Sequence, residues 1–247
     1  MSDKQSGNGA TNGASAGNAA GNAAANKIHI DVISDVMCPW CYIGKRNLEA
    51  ADEALEDVDL EVVWRPYQLD PTLPPEGKDR QQYLSEKFGG EDRARELYQR
   101  VHDAGMDAGI DFRFDAIAVS PNTLDAHRLI MWAGGQGEAI QNKLVDRLFR
   151  LYFLEGANIG DHQVLADAAT QAGLDGEVVL ELLETDRDKD TVRQEIASAQ
   201  QMGVTGVPCF IIDRRIAVMG AQPPAALVQA IRQALGDAAE EADYTGE

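Results

Sequence analysis

Two cysteines separated by two residues are the side chains of this sequence best suited to chemistry. The segment Cys38-Pro39-Trp40-Cys41 follows a short loop and begins a predicted helix. Cysteines three positions apart in the first turn of a helix come within disulfide range. The unpaired N–H groups and the dipole at a helix start favour negative charge on the first cysteine. We therefore predict that Cys38 is the attacking thiolate and that Cys41, one turn deeper, resolves a mixed disulfide.

A metal site is the first alternative for this pair. Structural zinc usually takes four ligands, as two such cysteine pairs or as one pair with histidines. This sequence has one pair, a distant Cys209, and four histidines without ligand-like spacing, at positions 29, 102, 127 and 162. The pattern favours redox chemistry and no bound metal. The remaining alternative is a pair that is inactive or purely structural.

A second signal lies far along the chain, at Gly203-Val204-Thr205-Gly206-Val207-Pro208-Cys209-Phe210. Proline is a poor residue for a central strand, so Pro208 before an apolar run indicates an unusual backbone. A cis Val207–Pro208 bond would hold this loop against the cysteine pair and present the Val207 backbone to an extended substrate. We predict that Pro208 belongs to the catalytic site and that Val207, Pro39 and Trp40 contact the substrate.

The order of predicted elements is a strand, a helix and a strand, then a long helical block, then two strands and a helix. A β-α-β unit favours a parallel pair of strands, and the late β-turn-β segment favours an antiparallel pair. Together they make a small mixed sheet. The fold class is therefore α/β with a large inserted all-helical domain. The predicted divisions are a disordered Gly/Ala/Asn tail (1–26), a first half (27–74), the helical insertion (75–190), a second half (191–236) and an acidic tail (237–247).

The charge balance restricts the partners. The 247 residues include 41 acidic and 22 basic ones, which gives a formal charge of -19. Such a field repels phosphate backbones and anionic lipids, so neither nucleic acid nor a membrane is an expected partner. Only 7 of the basic residues are lysines, and an acidic, lysine-poor surface is typical of salt-adapted proteins. Residues 1–26 lack the apolar core of a secretory signal, so we expect a cytoplasmic location.

The sequence resembles the DsbA-like branch of the thioredoxin superfamily, most of all its FrnE-type dithiol–disulfide isomerases. The resemblance covers roughly residues 27 to 236. It implies a thioredoxin fold with an inserted helical domain, Cys38 as nucleophile, Cys41 as resolving thiol and a cis Pro208. It also implies thiol or disulfide substrates, either proteins or small thiols such as glutathione, and no cofactor besides the redox-active disulfide. The motifs that carry it are Asp35-Val36-Met37-Cys38-Pro39-Trp40-Cys41-Tyr42-Ile43-Gly44, Trp64-Arg65-Pro66-Tyr67-Gln68-Leu69, Asn122-Thr123-Leu124-Asp125-Ala126-His127-Arg128, Tyr152-Phe153-Leu154-Glu155-Gly156 and Gly203-Val204-Thr205-Gly206-Val207-Pro208.

Four residues near these motifs each have two interpretations. Cys209 is either a small buried thiol on a core strand or a third redox thiol. His127 is either a silent histidine on a packed helix or a residue that shapes the substrate groove, and we include it among the candidate substrate contacts. Asp31 and Asp35 are either solvated acids or, for one of them, a buried acceptor for the Cys41 proton.

The sequence leaves two other functions open. The 2-hydroxychromene-2-carboxylate isomerases and kappa-class glutathione transferases are similar in architecture and use glutathione. They characteristically replace the first cysteine with serine, whereas this sequence keeps Cys38 and Cys41. The other alternative is a polypeptide-binding chaperone without enzymatic activity.

Overall fold

A computed structural model describes the backbone of residues 26–244 and the side chains of residues 26–236. The elements in chain order are β1 (Asn26–Ser34), α1 (Pro39–Glu53), β2 (Val58–Pro66), β3 (Lys78–Asp79), α2 (Arg80–Phe88), α3 (Glu91–Asp107), a 3-10 helix (Phe114–Ala116), β4 (Val119–Ser120), α4 (Leu124–Gly134), α5 (Glu138–Phe153), α6 (His162–Ala172), α7 (Gly176–Leu183), α8 (Lys189–Gln201), β5 (Cys209–Ile212), β6 (Ile216–Met219) and α9 (Pro224–Tyr244).

Four strands form the mixed sheet that the sequence predicts, in the order β2-β1-β5-β6. β1 and β2 are parallel, with Ile30 opposite Val62, because α1 crosses over between them. β5 runs antiparallel to both β1 and β6. A separate two-stranded sheet joins β3 to β4. That sheet has no counterpart in the predicted elements, because two-residue strands carry no periodic signal.

Side chains of β1 alternate between two hydrophobic clusters on opposite faces of the sheet. Ile30 and Val32 belong to the large cluster that includes α1 and the helical insertion. Ile33 belongs to a small cluster with Ala199 of α8 and Cys209 of β5. Successive strand residues point to opposite faces, so helices must cover both sides of this sheet.

Aromatic side chains join the insertion to α1. The Tyr42 ring of α1 stacks on Phe149 of α5 with a centroid distance of 5.1 Å and an interplanar angle of 3°. Phe112 and Phe153 extend this cluster. Such pairs add to the burial of apolar area, which fixes the insertion against the helix that carries the cysteines.

Side chains of α5 cover the open edge of β2. The Val62 N–H donates to Glu138 Oε1 at 2.8 Å, and the Trp64 N–H donates to Gln141 Oε1 at 3.0 Å. Gln141 Nε2 donates in return to the carbonyl oxygens of Trp64 and Ile130, both at 3.2 Å. These two residues therefore supply the hydrogen bonds that a further strand would give, and they protect an edge that would otherwise pair with other chains.

A buried arginine closes the end of α7. Arg128 of α4 donates to the carbonyl oxygens of Leu182, Thr185 and Arg187 at 2.7 to 2.9 Å. It also pairs with Asp125 at 2.8 Å. The carbonyl groups at a helix end carry partial negative charge and lack intrahelical donors, so a guanidinium there stabilises them.

Several boundaries differ from the sequence prediction. The apolar pattern predicts one helical region over residues 81–108, but Gly89 and Gly90, both with positive φ, separate α2 from α3. The last helix runs to Tyr244, into the predicted acidic tail (237–247), consistent with the high helix propensity of its Ala- and Glu-rich sequence. Asn26 lies in β1, and the rest of the predicted N-terminal tail lies outside the described residues.

Within the described part of the chain, no helix is long and apolar enough to cross a membrane.

Replacing Gln141 tests the cover of the β2 edge. We expect Gln141→Leu to lower the free energy of unfolding by about 2 to 4 kcal/mol, because the buried N–H and C=O groups of Trp64 lose their partners. Chemical denaturation of the full chain measures this change. Gln136→Leu, at an exposed position between α4 and α5, is the matched control and should change stability by less than about 0.5 kcal/mol. Equal effects of the two substitutions would contradict this role.

His162 predicts a pH-dependent contribution to stability. Its ring nitrogens lie 3.0 Å from Asp125 Oδ2 and 2.8 Å from Glu184 Oε1. Partial burial lowers the pKa of His162, but the hydrogen bonds to Glu184 and Asp125 outweigh it and raise the pKa above its usual value. A histidine whose pKa is raised in the folded state stabilises that state fully at pH values below its unfolded pKa. This stabilisation is lost as the pH rises through the folded pKa.

We therefore expect His162→Gln to lower the free energy of unfolding by about 1 kcal/mol near pH 5.5 and by much less near pH 9. Urea denaturation at both pH values measures the difference. His102→Gln is the control, since its nearest carboxylates lie 3.9 Å away. A loss at His162 that does not change with pH would show that packing, not charge, explains it.

Candidate active site

The loop after β1 places Cys38 at the start of α1. Cys38 is the N-cap residue, with extended backbone angles of φ -91° and ψ 115°, and Pro39 follows as the first helical residue. The Cys38 N–H donates to the Asp35 carbonyl oxygen at 2.9 Å, and the Cys38 carbonyl oxygen accepts the Cys41 N–H at 3.0 Å. Both cysteines are free thiols, with 4% of Cys38 and 1% of Cys41 exposed.

The proline loop lies against the first cysteine. The Val207–Pro208 peptide bond is cis. The Cys38 Sγ lies 3.8 Å from the Val207 carbonyl oxygen. The loop approaches α1 closely at Gly44, where a Cβ would lie 2.8 Å from Pro208 Cγ, so glycine leaves room for the proline ring. Two segments about 170 residues apart in sequence therefore meet at one sulfur atom.

Cys41 differs from Cys38 in its surroundings. Burial raises the pKa of the Cys41 thiol, and the neighbouring Cys38 raises it further. The Ser34 hydroxyl and the Asp35 backbone N–H oppose this rise. Burial therefore favours the protonated form of the Cys41 thiol.

A buried carboxylate organises the loop that carries Cys38. Asp35 is fully buried, and its Oδ1 accepts the Met37 N–H at 3.3 Å while its Oδ2 accepts the Leu69 N–H at 2.8 Å. His127 Nε2 of α4 lies 3.4 Å from Oδ1. Asp35 thus connects the loop after β1, the segment after β2 and the helical insertion.

The other predicted site residues occupy different surroundings. Trp40 is 40% exposed and stands beside the cysteines at the surface, whereas Pro39 is buried and Val207 half-buried. His127 was expected near a substrate groove, but its ring lies in the interior against Asp35. Its role as a substrate contact stays a prediction.

Cys209 and Asp31 lie away from the cysteine pair. Cys209 packs with Ile33 and Ala199 on the α8 face of the sheet, while Phe210 beside it points to the α1 face. Burial raises the pKa of the Cys209 thiol, as expected for a small thiol in a core rather than a third redox group. Asp31 pairs with Arg65 at 2.7 Å on the strand surface.

Sequence reasoning identified both cysteines, the proline loop and Asp35 as one of two candidate acids. It listed Leu69 and Gly44 only within motifs, without a role, and it did not name Ser34. The roles of Leu69 and Gly44 depend on contacts between distant segments. Gly44 was the only one of these with a visible signal in the sequence, since glycine within a helix often marks close packing.

Among the described residues, no group of three or more His, Cys, Asp or Glu side chains is arranged to hold a metal ion.

The fold and site together define a class of protein. A sheet in the order β2-β1-β5-β6, a cysteine pair at the start of α1, and a cis proline before β5 make a thioredoxin fold, and a helical insertion lies between its halves. The model of the DSBA-like thioredoxin domain matches residues 29–232. The chain therefore belongs to this family. The predicted fold class and the resemblance to the DsbA-like branch are confirmed, while its FrnE type remains a prediction.

Three known proteins illustrate the family likeness. The chain is 30% identical over 186 residues to the uncharacterized protein YwbO of Bacillus subtilis, covering 75% of this chain and 86% of YwbO. A probable DsbA oxidoreductase from Streptomyces coelicolor superposes with a TM-score of 0.77 at 32% identity, covering 85% of this chain and 90% of that one. A 2-hydroxychromene-2-carboxylate isomerase gives a TM-score of 0.63 at 14% identity, over 89% of this chain and all of that one, which shows a shared fold.

The different surroundings of the three thiols predict an order of alkylation. With iodoacetamide near pH 7, we expect Cys38 of the reduced protein to react at least about 10-fold faster than Cys41 or Cys209. The start of α1 favours negative charge at Cys38, whereas burial raises the pKa of the other two thiols. Peptide mass spectrometry over time measures the three rates. The denatured protein is the control and should show similar rates at all three cysteines. Alkylation of Cys209 as fast as Cys38 would contradict its assignment as a core thiol.

Proposed function

We propose that this protein is a thiol–disulfide oxidoreductase that exchanges disulfides through Cys38 and Cys41. The observation that carries the proposal is the position of Cys38 at the start of α1, with Cys41 one turn deeper. The Val207 carbonyl oxygen lies 3.8 Å from the Cys38 sulfur. The similarity to the probable DsbA oxidoreductase of Streptomyces coelicolor, at 32% identity, supports the same class of activity.

The proposed reaction has two steps. The Cys38 thiolate attacks one sulfur of a substrate disulfide, forms a mixed disulfide and releases the other sulfur as a thiolate. Cys41 then loses its proton and attacks the Cys38 sulfur, which forms the Cys38–Cys41 disulfide and releases the second substrate thiolate. The substrate gains two electrons and the protein loses two. The reverse sequence oxidises a dithiol substrate, and isomerisation combines the two directions on one substrate.

The surroundings of Cys38 favour extended or small thiol substrates. The half-buried Val207 has its carbonyl group beside Cys38, and backbone groups next to a sheet recognise an extended chain through hydrogen bonds. The exposed Trp40 adds an apolar contact at the surface. We propose protein thiols and small thiols as substrates, with glutathione as a candidate co-substrate, and a cytoplasmic location.

The reduction potential of the full chain in glutathione redox buffers tests the proposal. We expect a reversible two-electron couple between about −270 and −120 mV. Cys38→Ser should abolish it, and Cys41→Ser should accumulate a mixed disulfide at Cys38 that mass spectrometry detects. Cys209→Ser is the matched control, since it also removes a buried thiol, and it should leave the potential unchanged. The measurements should be made at both low and molar salt, because salt screens the repulsion that arises from the net charge of -19.

Failure to form a Cys38–Cys41 disulfide at any potential would contradict the proposal. Turnover of a small substrate with tight glutathione binding would then favour an isomerase of the 2-hydroxychromene-2-carboxylate type. Suppression of aggregation that survives loss of both cysteines would instead favour a polypeptide-binding role.

A further inference from the structure

A cavity lies within the helical insertion, and the redox proposal does not use it. It has a volume of about 540 Å³ and lies between α2, α3 and the 3-10 helix. Small-molecule sites are usually clefts of about 300 to 1,000 Å³ with mostly apolar walls. We call it the Arg80 pocket, and its principal lining residues are Arg80, Leu84, Ala94, Tyr98, Phe114 and Ile117.

Arg80 lines this cavity as a buried cation. Only 5% of the residue is exposed. Its Nη1 donates to the Tyr152 hydroxyl oxygen at 2.9 Å, whereas its Nη2 has no hydrogen-bond partner. Among the described side chains, no carboxylate forms an ion pair with it. A buried charge is costly unless it is paired with an opposite charge or coordinates a ligand.

Aromatic rings compensate for part of that cost. The guanidinium carbon of Arg80 lies 5.0 Å from the centroid of the Tyr98 ring and 5.7 Å from those of Phe114 and Tyr152. Cation–π contacts stabilise a guanidinium and hold its plane in one orientation, but they do not accept the N–H hydrogen bonds as an anion does. The guanidinium is therefore held in one orientation beside the cavity, with its Nη2 lacking a hydrogen-bond acceptor.

The rim of the pocket restricts the charge of a ligand. Glu91 and Asp115 also line the cavity, together with Arg95. Glu91 already accepts a hydrogen bond from Gln81 at 3.2 Å, and Asp115 pairs with Arg113 at 3.4 Å. These carboxylates oppose entry of a dianion. A single carboxylate on an apolar body suits this lining best, because Arg80 offers it a positive charge while the aromatic walls contact its body.

We propose that the Arg80 pocket binds a small monocarboxylate with an apolar or aromatic body, through the guanidinium of Arg80. The proposal rests on the unpaired buried guanidinium and on the shape and lining of the cavity. It does not depend on the redox activity of Cys38 and Cys41.

Titration with sodium benzoate tests this site, followed by isothermal calorimetry or by amide chemical shifts. Benzoate is a small fragment, so we expect a Kd of about 1 to 10 mM. Benzamide has the same shape without the charge, and it should bind at least about 10-fold more weakly. Equal binding of the two compounds, or no saturable benzoate binding, would overturn the proposal.

Two variants locate the binding. Arg80→Gln removes the charge and should weaken benzoate binding at least about 10-fold. Ala94→Met keeps Arg80 and fills the cavity from the α3 wall, so it should also abolish binding, and it decides the question if Arg80→Gln does not fold. Arg93→Gln is the charge-matched control at an exposed position of α3. Unchanged binding in the folded Ala94→Met protein would place benzoate elsewhere and contradict the proposal.

The same titration in Cys38→Ser separates this inference from the proposed function. Benzoate binding should be unchanged in that variant, because Cys38 does not line the cavity. A protein with a normal redox couple and no benzoate site would refute only the pocket, and the opposite result would refute only the redox proposal.

Discussion

A single buried carboxylate holds together the parts of this molecule that meet at the cysteine pair. Asp35 accepts N–H groups from its own loop and from the segment after β2, and it faces His127 from the insertion. Its backbone carbonyl also fixes the Cys38 N–H. A buried polar side chain is tolerated only when such partners surround it, so the position of each partner depends on the others. The start of α1, and with it the orientation of Cys38, follows from this arrangement.

The two faces of the sheet divide the thiols by their surroundings. The cysteine pair lies on the α1 side with the proline loop, while Cys209 lies on the α8 side, one residue after that loop. The pleat of β5 produces this separation, since neighbouring residues of a strand point in opposite directions. The chain can therefore carry a third cysteine directly after Pro208 without placing its sulfur beside Cys38 and Cys41.

Local patterns predicted most of the fold, and long-range contacts account for what they missed. Alternating apolar residues predicted β1, and the apolar run after Pro208 predicted β5, because each signal lies within a few residues. The break between α2 and α3 was missed because the helical pattern on both sides of the two adjacent glycines is stronger than their own signal. The interior position of His127 and the Leu69 N–H bond to Asp35 could not be predicted, because each joins segments far apart in sequence.

The cover of β2 by α5 has an evolutionary consequence. Glu138 and Gln141 take the place of a missing strand, so the helical insertion completes the sheet as well as enclosing its core. An ancestor without the insertion would have needed another strand or charged side chains along β2 to avoid association through that edge. Loss of the insertion in a descendant would likewise require a simultaneous change in β2. The two parts of the chain are therefore expected to be inherited together rather than exchanged as independent modules.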